Sequence, residues 1–297
     1  MTDTLSKRLR LTLDMIKFEH SVFALPFALT GALLGFRDGG YQSAGVGGKL
    51  AWIVVAMIGA RSAAMAFNRL VDAPIDGRNP RTKMRHLPAG VLSRGFGWGF
   101  VAAAAALFFV AAGALNPLCL RLAPVALGIV FFYSFTKRFT SFSHLVLGFS
   151  LGIAPAAAWI AVRGSLDPRI LWLTAAVTFW TAGFDVIYAC QDFEFDRAEG
   201  LFSVPRVLGL VRALRAARAL HVLMIVCLLA LVYTLHLGGL ALAGVASIAG
   251  LLIYEHSLVK ADDFSRVNAA FFTMNGYVSV LFLFFWAADI FLLKPGA

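Results

Sequence analysis

Residues 48–76 read GKLAWIVVAMIGARSAAMAFNRLVDAPID. The apolar part of this run covers about twenty residues, the length that an α-helix needs to cross the hydrocarbon core of a bilayer. It ends in Asn68, Asp72 and Asp76, which lie on one face if the helix continues. Pro74 predicts a local kink or an early helix end. The run therefore indicates a transmembrane helix that presents two carboxylates at the membrane surface.

The whole chain has the composition of an integral membrane protein. Of its 297 residues, 60% are hydrophobic and 14% are charged, and the mean hydropathy is +0.80. A soluble domain is about 45–50% apolar and about 25% charged, so this composition argues against a soluble enzyme. The three cysteines lie within apolar runs and form neither a metal-binding spacing nor a disulfide framework.

Apolar windows long enough to cross a bilayer predict nine helices. They fall at residues 19–37, 48–68, 97–115, 118–136, 143–162, 169–190, 213–236, 238–257 and 268–293. Most of the 26 lysines and arginines lie in the N-terminal segment and in the loops after the second, fourth, sixth and eighth windows. The positive-inside rule then places the N-terminus in the cytoplasm. We expect one domain over residues 1–297, an all-α bundle of about nine transmembrane helices around a central cavity.

The net charge of +10 does not indicate a nucleic-acid partner. The basic residues are dispersed in short loops between apolar spans, and the positive-inside rule explains that distribution. Residues 1–20 are mixed polar, so we expect no cleavable signal peptide.

A second acidic segment ends the predicted sixth helix, at residues 185–196, and reads DVIYACQDFEFD. Its polar residues Asp185, Tyr188, Asp192 and Asp196 are spaced to share one helix face. Asp185 would lie inside the membrane boundary, where an acid is costly and usually faces a cavity or a cation. Two such segments on one side of the membrane could hold divalent cations, which in turn bind phosphate oxygens.

Basic residues near the same membrane surface could bind phosphate directly. Arg81 and Arg85 lie in the loop after the first acidic segment, and guanidinium groups bind phosphate oxygens in a bidentate manner. Tyr133 and Lys137 close the fourth predicted helix and share one face. We therefore expect a diphosphate-binding site at this surface.

Polar residues inside the predicted helices allow two interpretations. Arg61 must meet an anion or water, so it could face a substrate cavity, which we favour, or pair with Asp185. Asn268 and Asn275 could bond across helices or line the cavity. The histidines show no metal-binding spacing and are interpreted as structural: His144, His221, His236 and His256.

Taken together, these motifs resemble those of the UbiA superfamily of intramembrane prenyltransferases. That family carries an Asn-Asp-x-x-Asp-x-x-x-Asp motif, to which residues 68–76 correspond. Residues 185–196 match its Asp-x-x-Tyr-x-x-x-Asp-x-x-x-Asp motif in full. Residues 133–137 match its Tyr-x-x-x-Lys motif, and residues 81–88 match its Arg-Thr-x-x-Arg-x-Leu-Pro string. The resemblance spans nearly the whole chain.

One residue departs from the family pattern. Arg69 stands where an Asp usually follows the Asn of the first motif, and we expect it to change acceptor binding rather than metal binding. The strings IKFEHSVFALP (16–26) and YEHSL (254–258) resemble a bacterial branch usually described as 4-hydroxybenzoate polyprenyltransferase-like. Some members of that branch are associated with menaquinone synthesis.

The resemblance implies an enzyme that transfers a polyprenyl group from an allylic diphosphate to an aromatic acceptor. The acceptor would be of the 4-hydroxybenzoate type in ubiquinone biosynthesis, or a dihydroxynaphthoate in menaquinone biosynthesis. The other implied partner is the lipid bilayer, and the implied location is the bacterial inner membrane with the active site towards the cytoplasm.

The resemblance also implies roles for individual residues. Two Mg²⁺ ions would be held by Asn68, Asp72, Asp76, Asp192 and Asp196. The diphosphate would be bound by Arg81, Arg85, Tyr133 and Lys137. The acceptor would be bound by Lys17, Arg61 and Arg69. Catalysis would involve Asp185, Arg61 and Tyr188.

A membrane transporter for an anion or a divalent metal is the alternative of another class. Intramembrane acids and arginines also mark transport paths. Transporters of that kind have broken helices near the membrane midplane. In this sequence the acids instead cluster at one membrane face beside arginine-rich loops, which favours the enzyme.

Overall fold

The computed structural model describes residues 11, 12, 14–16, 23–40 and 45–292, and this part of the chain is helical without any β-strand. Its α-helices are α1 (Leu25–Asp38), α2 (Val46–Asp76), α3 (Arg94–Leu115), α4 (Pro117–Thr136), α5 (Ser143–Arg163), α6 (Leu171–Ala189), α7 (Phe193–Glu199), α8 (Val204–Leu208), α9 (Leu210–Thr234), α10 (Gly239–Leu258) and α11 (Asn275–Leu292). Short 3₁₀ turns lie at Pro168–Ile170 and Cys190–Asp192, and a π-helix at Ala269–Met274 precedes α11.

Eight helical segments of the described chain are long and apolar enough to cross a membrane. They are α2, α3, α4, α5, the α6–α7 segment, α9, α10, and the π-helix with α11. The first predicted span, residues 19–37, overlaps α1, whose 14 described residues extend about 21 Å. That length is less than the hydrocarbon core of about 30 Å. The prediction of an all-α membrane protein is confirmed, while the count of nine helices and the orientation stay predictions.

Aromatic side chains fill the core between α1, α6 and α11. The Phe27 ring centroid lies 4.9 Å from that of Trp180 and 4.6 Å from that of Phe282, which stacks on Trp286 at 4.2 Å. Such pairs stabilise a fold by about 0.5–1.5 kcal/mol each beyond the burial of their surface. This core joins α1 to α11.

Helices α5 and α6 approach each other closely because glycines line their contact. A Cβ added to Gly148 would lie close to the Thr178 carbonyl oxygen, and one added to Gly152 would collide with the Thr178 side chain. Small residues of this kind allow helix backbones to approach within a membrane. The contact brings the start of α5 next to the end of α6, where the second acidic segment begins.

The two acidic segments differ in backbone structure. Helix α2 does not end early, because it continues through Pro74 to Asp76. Helix α6 ends at Ala189, and a 3₁₀ turn over Cys190–Asp192 leads into α7. Asp185, Tyr188, Asp192 and Asp196, which are spaced to share one helix face, thus lie on α6, on this 3₁₀ turn and on α7, and a 3₁₀ turn has three residues per turn rather than 3.6.

A buried acid connects the last two helices. The Asp289 carboxylate on α11 accepts the backbone N–H of Gly238 at 2.9 Å and that of Ala241 at 3.1 Å. These groups belong to the first turn of α10, where helix N–H groups have no partner within the helix. The N-cap residue Gly238 has no side chain that could bind them, so a residue about fifty positions later in the sequence does so.

Candidate active site

One cavity of about 630 Å³ lies between α2, α4, α5 and α6. Every predicted site residue that the structure describes lines this cavity: Arg61, Asn68, Arg69, Asp72, Asp76, Arg81, Arg85, Tyr133, Lys137, Asp185, Tyr188, Asp192 and Asp196. Lys17, the remaining predicted site residue, lies outside the described residues.

The cavity has a charged end and an apolar channel. Most of its charged residues lie at the C-terminal ends of α2, α4 and α6 or in the segments that follow them, and Arg61 lies further inside α2, whereas the lining continues along α5 from Ser143 to Ala161. That stretch of helix is about 27 Å long. The channel is lined mainly by aliphatic and aromatic side chains and reaches Leu115, Leu166 and Leu171. The cavity can therefore hold a molecule with an anionic head and a long apolar tail.

Asp72, at the last turns of α2, is held by two cations from the end of α4. Lys137 Nζ donates to Asp72 Oδ2 at 2.7 Å, and the Arg138 guanidinium donates to Oδ1 at 3.1 Å. Asn68 Nδ2, one turn earlier on α2, donates to Oδ2 at 3.0 Å. The Asp72 carboxylate is only 4% exposed, so these contacts compensate for its removal from water.

Asp76 closes α2 and is held by the loop that follows it. Arg85 donates through a terminal nitrogen to Asp76 Oδ2 at 2.7 Å. The Thr82 hydroxyl lies 3.1 Å from Asp76 Oδ1 and 3.0 Å from the Asp76 backbone oxygen. The loop therefore folds back over the end of the helix that it leaves.

The same loop crosses the cavity to the second acidic segment. Arg81 Nε and Asn79 Nδ2 both donate to Asp192 Oδ1 at 2.9 Å. The Arg81 guanidinium also lies 5.3 Å from the ring centroid of Tyr188 and donates to its hydroxyl at 3.3 Å. Burial alone lowers the pKa of Arg81, but the hydrogen bond and charge of Asp192 outweigh it and raise that pKa. Arg81 therefore stays cationic.

Asp185 contacts a histidine that the sequence analysis interpreted as structural. His144 Nδ1 lies 2.6 Å from Asp185 Oδ2, and His144 Nε2 accepts the backbone N–H of Val204 at 3.2 Å. His144 lines the cavity. The His221 and His256 rings, by contrast, pair with each other at 3.0 Å outside this cavity.

Two further polar residues inside the helices occupy different places. Arg69 lines the cavity beside the first acidic segment, and its Nε donates to the Met15 backbone oxygen at 3.4 Å. Asn275 does not line the cavity, and its Nδ2 donates within its own helical segment to Phe271 O at 2.8 Å.

Three residues at the site were not predicted as site residues. Asn79 and Arg138 directly neighbour predicted motifs, so a wider reading of those motifs would have found them. No sequence signal singles out His144, because it lies 41 positions from Asp185. Within the described ranges, no three acids, histidines or cysteines are close enough to hold a metal ion by themselves.

A helical bundle with long apolar helices and a cavity that joins a charged end to an apolar channel is typical of membrane proteins that bind amphiphilic molecules. The model of the UbiA prenyltransferase family matches residues 24–288, and the chain belongs to that family. The prediction of a prenyl-transferring enzyme is thereby confirmed. The family places the chain among transferases rather than transporters.

The chain is similar to curated enzymes of Vibrio species. It is 30% identical to the 4-hydroxybenzoate octaprenyltransferase of Vibrio atlanticus over 232 residues, which cover 76% of this chain and 81% of the relative. It is also 30% identical to that of Vibrio cholerae (strain M66-2) over 228 residues, covering 74% of this chain and 77% of the relative.

Solved structures share the fold. The apo structure of a UbiA homolog from Aeropyrum pernix has a TM-score of 0.80 and 33% identity, with 92% of this chain and 98% of the homolog covered. A UbiA homolog from Archaeoglobus fulgidus bound to DMAPP and Mg²⁺ has a TM-score of 0.70 and 18% identity, with 95% and 99% covered.

Proposed function

We propose that this protein transfers a polyprenyl group from an allylic diphosphate to a small aromatic acceptor of the 4-hydroxybenzoate type. The observation that carries the proposal is the single cavity that joins both acidic segments, the basic loop and an apolar channel. The names of the Vibrio relatives support the acceptor. The proposed enzyme is one domain over residues 1–297.

The residues at the charged end fit Mg²⁺. This ion usually binds through one or two carboxylates, several waters and substrate phosphates, rather than in a cage built from protein alone. The two acidic segments supply oxygen donors of the kind that Mg²⁺ usually binds. The Mg²⁺ bound to the A. fulgidus homolog supports this assignment. We assign one ion to each segment, held by Asn68, Asp72 and Asp76 and by Asp192 and Asp196. When bound, the ions neutralise the diphosphate and make it a better leaving group.

The basic residues of the cavity would bind the diphosphate. Arg81, Arg85 and Lys137 contact site carboxylates in this structure, so Mg²⁺ at the carboxylates would release these cations to phosphate oxygens. The Tyr133 hydroxyl would add a hydrogen bond. As the C1–O bond of the allylic donor breaks, these groups stabilise the charge that develops on the departing diphosphate.

The acceptor would bind between the diphosphate and the basic residues of α2. Arg61 and Arg69 line the cavity and would bind an acceptor carboxylate, together with Lys17. A ring carbon attacks C1 of the allylic cation, and loss of the ring proton restores aromaticity. Asp185 would orient the acceptor and accept that proton, beside the Tyr188 ring one turn further along α6.

The apolar channel would hold the polyprenyl tail within the bilayer. This arrangement requires the charged end to face the compartment that supplies water-soluble diphosphate and Mg²⁺. The positive-inside distribution supports the cytoplasmic face of the bacterial inner membrane.

A transfer assay on purified protein tests the proposal. Geranyl diphosphate and Mg²⁺ would be offered with 4-hydroxybenzoate and, in parallel, with 1,4-dihydroxy-6-naphthoate. We expect geranylated benzoate, loss of product with a chelator and recovery with added Mg²⁺. Product from the naphthoate alone would move the enzyme to menaquinone synthesis. If neither acceptor reacts and Mg²⁺ does not promote binding of geranyl diphosphate, the proposal is wrong.

A further inference from the structure

His144 bridges two elements of the cavity wall. It lies in the first turn of α5, and its ring is 5% exposed. One ring nitrogen lies 2.6 Å from Asp185 Oδ2 on α6, and the other accepts the N–H of Val204 at the start of α8 at 3.2 Å. The ring is therefore held on both sides, in contact with a residue to which the proposed function gives a catalytic role.

These two contacts fix the tautomer of His144. A backbone N–H can only donate a hydrogen bond, so Nε2 must be the nitrogen with the free lone pair. The proton of a neutral imidazole then lies on Nδ1 and points at Asp185. Nδ1 is therefore the nitrogen that donates to Asp185 Oδ2.

The same contact fixes one oxygen of Asp185. Hydrogen bonds to a carboxylate are about twice as strong as neutral ones, so Oδ2 is committed to His144. The close contact of α5 and α6 at Gly148 and Gly152 keeps the two side chains at this separation. Asp185 lines the cavity, and Oδ1 is its remaining acceptor for a substrate.

We propose that His144 is a positioning residue that holds Asp185 so that Oδ1 meets the aromatic acceptor; this inference rests on the proposed function. In the transfer, the donor C1–O bond breaks with its electron pair on diphosphate, and the bond from C1 to the ring carbon forms. The ring proton then passes to Asp185 Oδ1, while His144 keeps its own proton. Without a well-placed acceptor, water captures the allylic cation and gives geraniol and a proton beside the diphosphate.

Two substitutions separate this role from simple anchoring of the loop before α8. His144→Asn keeps an N–H donor near the position of Nδ1 but cannot reach Val204. His144→Gln reaches the Val204 N–H with its side-chain oxygen but has no donor near Nδ1. The assay with geranyl diphosphate, Mg²⁺ and 4-hydroxybenzoate measures kcat, both KM values and the ratio of geraniol to geranylated product.

We expect His144→Gln to lower kcat by about 10–100-fold, the usual cost of losing a residue that orients a functional group. The share of geraniol should rise, and the KM for geranyl diphosphate should stay within about twofold because the diphosphate contacts are intact. His144→Asn should keep most of the wild-type kcat and a low share of geraniol. Asp185→Asn should raise the share of geraniol as His144→Gln does.

Equal losses in the two variants, or a more active His144→Gln, would overturn the inference in favour of loop anchoring. A loss of kcat without additional geraniol would also overturn it. If neither variant folds, ¹⁵N NMR of histidine-labelled wild-type protein decides, because an Nε2–H tautomer with no proton on Nδ1 contradicts the assignment. Absence of any prenylated product from the wild type would instead count against the proposed function.

Discussion

The two acidic segments meet at one cavity, but they are built in different ways. The first lies on the unbroken helix α2, and its Asp72 and Asp76 side chains are 5% and 7% exposed. The second crosses the break between α6 and α7, and its Asp192 side chain is 18% exposed. A similar spacing in the sequence therefore produces one rigid, buried carboxylate pair and one pair on an irregular, more open backbone.

The partners of the two segments also come from different places. Asp72 is bound by the end of α4, through Lys137 and Arg138. Asp192 is bound by Arg81, which belongs to the loop after the first segment. The loop after α2 thus serves both segments, whereas nothing comparable extends from the second segment to the first among the contacts that the structure describes. The two halves of the site therefore differ, because only the first supplies a loop that contacts both acidic segments.

Removing a carboxylate from each segment should have the largest effect. We expect Asp72→Ala and Asp192→Ala each to lower kcat by at least about 100-fold, since a bound metal supplies several kcal/mol of transition-state stabilisation. Asp72→Ala should in addition lower the Tm, because it leaves the partly buried Lys137 and Arg138 without their shared anion. Transfer kinetics and thermal unfolding in detergent measure both effects.

Glu194→Ala is the matched control for these variants. Glu194 lies between Asp192 and Asp196 in the sequence, but it is exposed and does not line the cavity. The Glu194→Ala variant should keep the transfer activity of the wild type. Full activity of Asp72→Ala or Asp192→Ala would contradict the metal assignment.

Replacing the arginines of the loop after α2 by lysine should have a smaller effect on the kinetics. Arg81 contacts Asp192 through two nitrogens, whereas Arg85 contacts Asp76 through one. Because lysine cannot replace a bidentate guanidinium, Arg81→Lys should raise the KM for geranyl diphosphate about tenfold, or about 1.4 kcal/mol. Arg85→Lys should raise it less. A larger increase in KM for Arg85→Lys than for Arg81→Lys would show that the contact of the loop with the first acidic segment matters more.

A substitution at Arg69, the residue that departs from the family motif, tests whether α2 contributes to acceptor binding. Arg69→Asp restores the acid that is usual at this position. We expect the ratio of kcat/KM for the two acceptors to change by about fivefold, corresponding to about 1 kcal/mol, at a nearly constant KM for geranyl diphosphate. Arg94→Asp, an equal change of charge at an exposed residue outside the cavity, is the control. Unchanged kinetics with both acceptors would refute the assignment.

The smallest effect on turnover is expected at the buried acid of α11. Asp289→Ala removes the acceptor of the buried Ala241 N–H and of the partly buried Gly238 N–H, and leaving a buried donor unpaired costs about 1–3 kcal/mol. The Tm should fall, while kcat per folded molecule stays unchanged because Asp289 lies outside the cavity. A changed KM would mean that α10 and α11 shape the site.

The sequence was sufficient where the signal is local. The apolar run before Asn68 and the spacing of Asp72 and Asp76 place two acids at a membrane surface, whatever the rest of the chain does. Pro74 suggested a kink or an early helix end, and the early end did not occur, because a proline near a helix end removes only one backbone hydrogen bond. The break after Ala189 had no glycine or proline to announce it.

Contacts between distant residues could not be predicted in the same way. Arg81 meets Asp192 across 111 positions, and His144 meets Asp185 across 41. Both contacts depend on how helices pack, which the glycines at Gly148 and Gly152 control only once α6 lies against them. The sequence therefore predicted residues that line one cavity, but not which of them bind one another.

The contact between Asp289 and α10 has a consequence for how the protein is made. The N–H groups of Gly238 and Ala241 enter the membrane region 51 and 48 positions before their acceptor is synthesised. Until Asp289 arrives, the first turn of α10 must rely on water or on the insertion machinery, because hydrocarbon offers it no acceptor. The capping of α10 by Asp289 can therefore form only after α11 has been synthesised and has packed against α10.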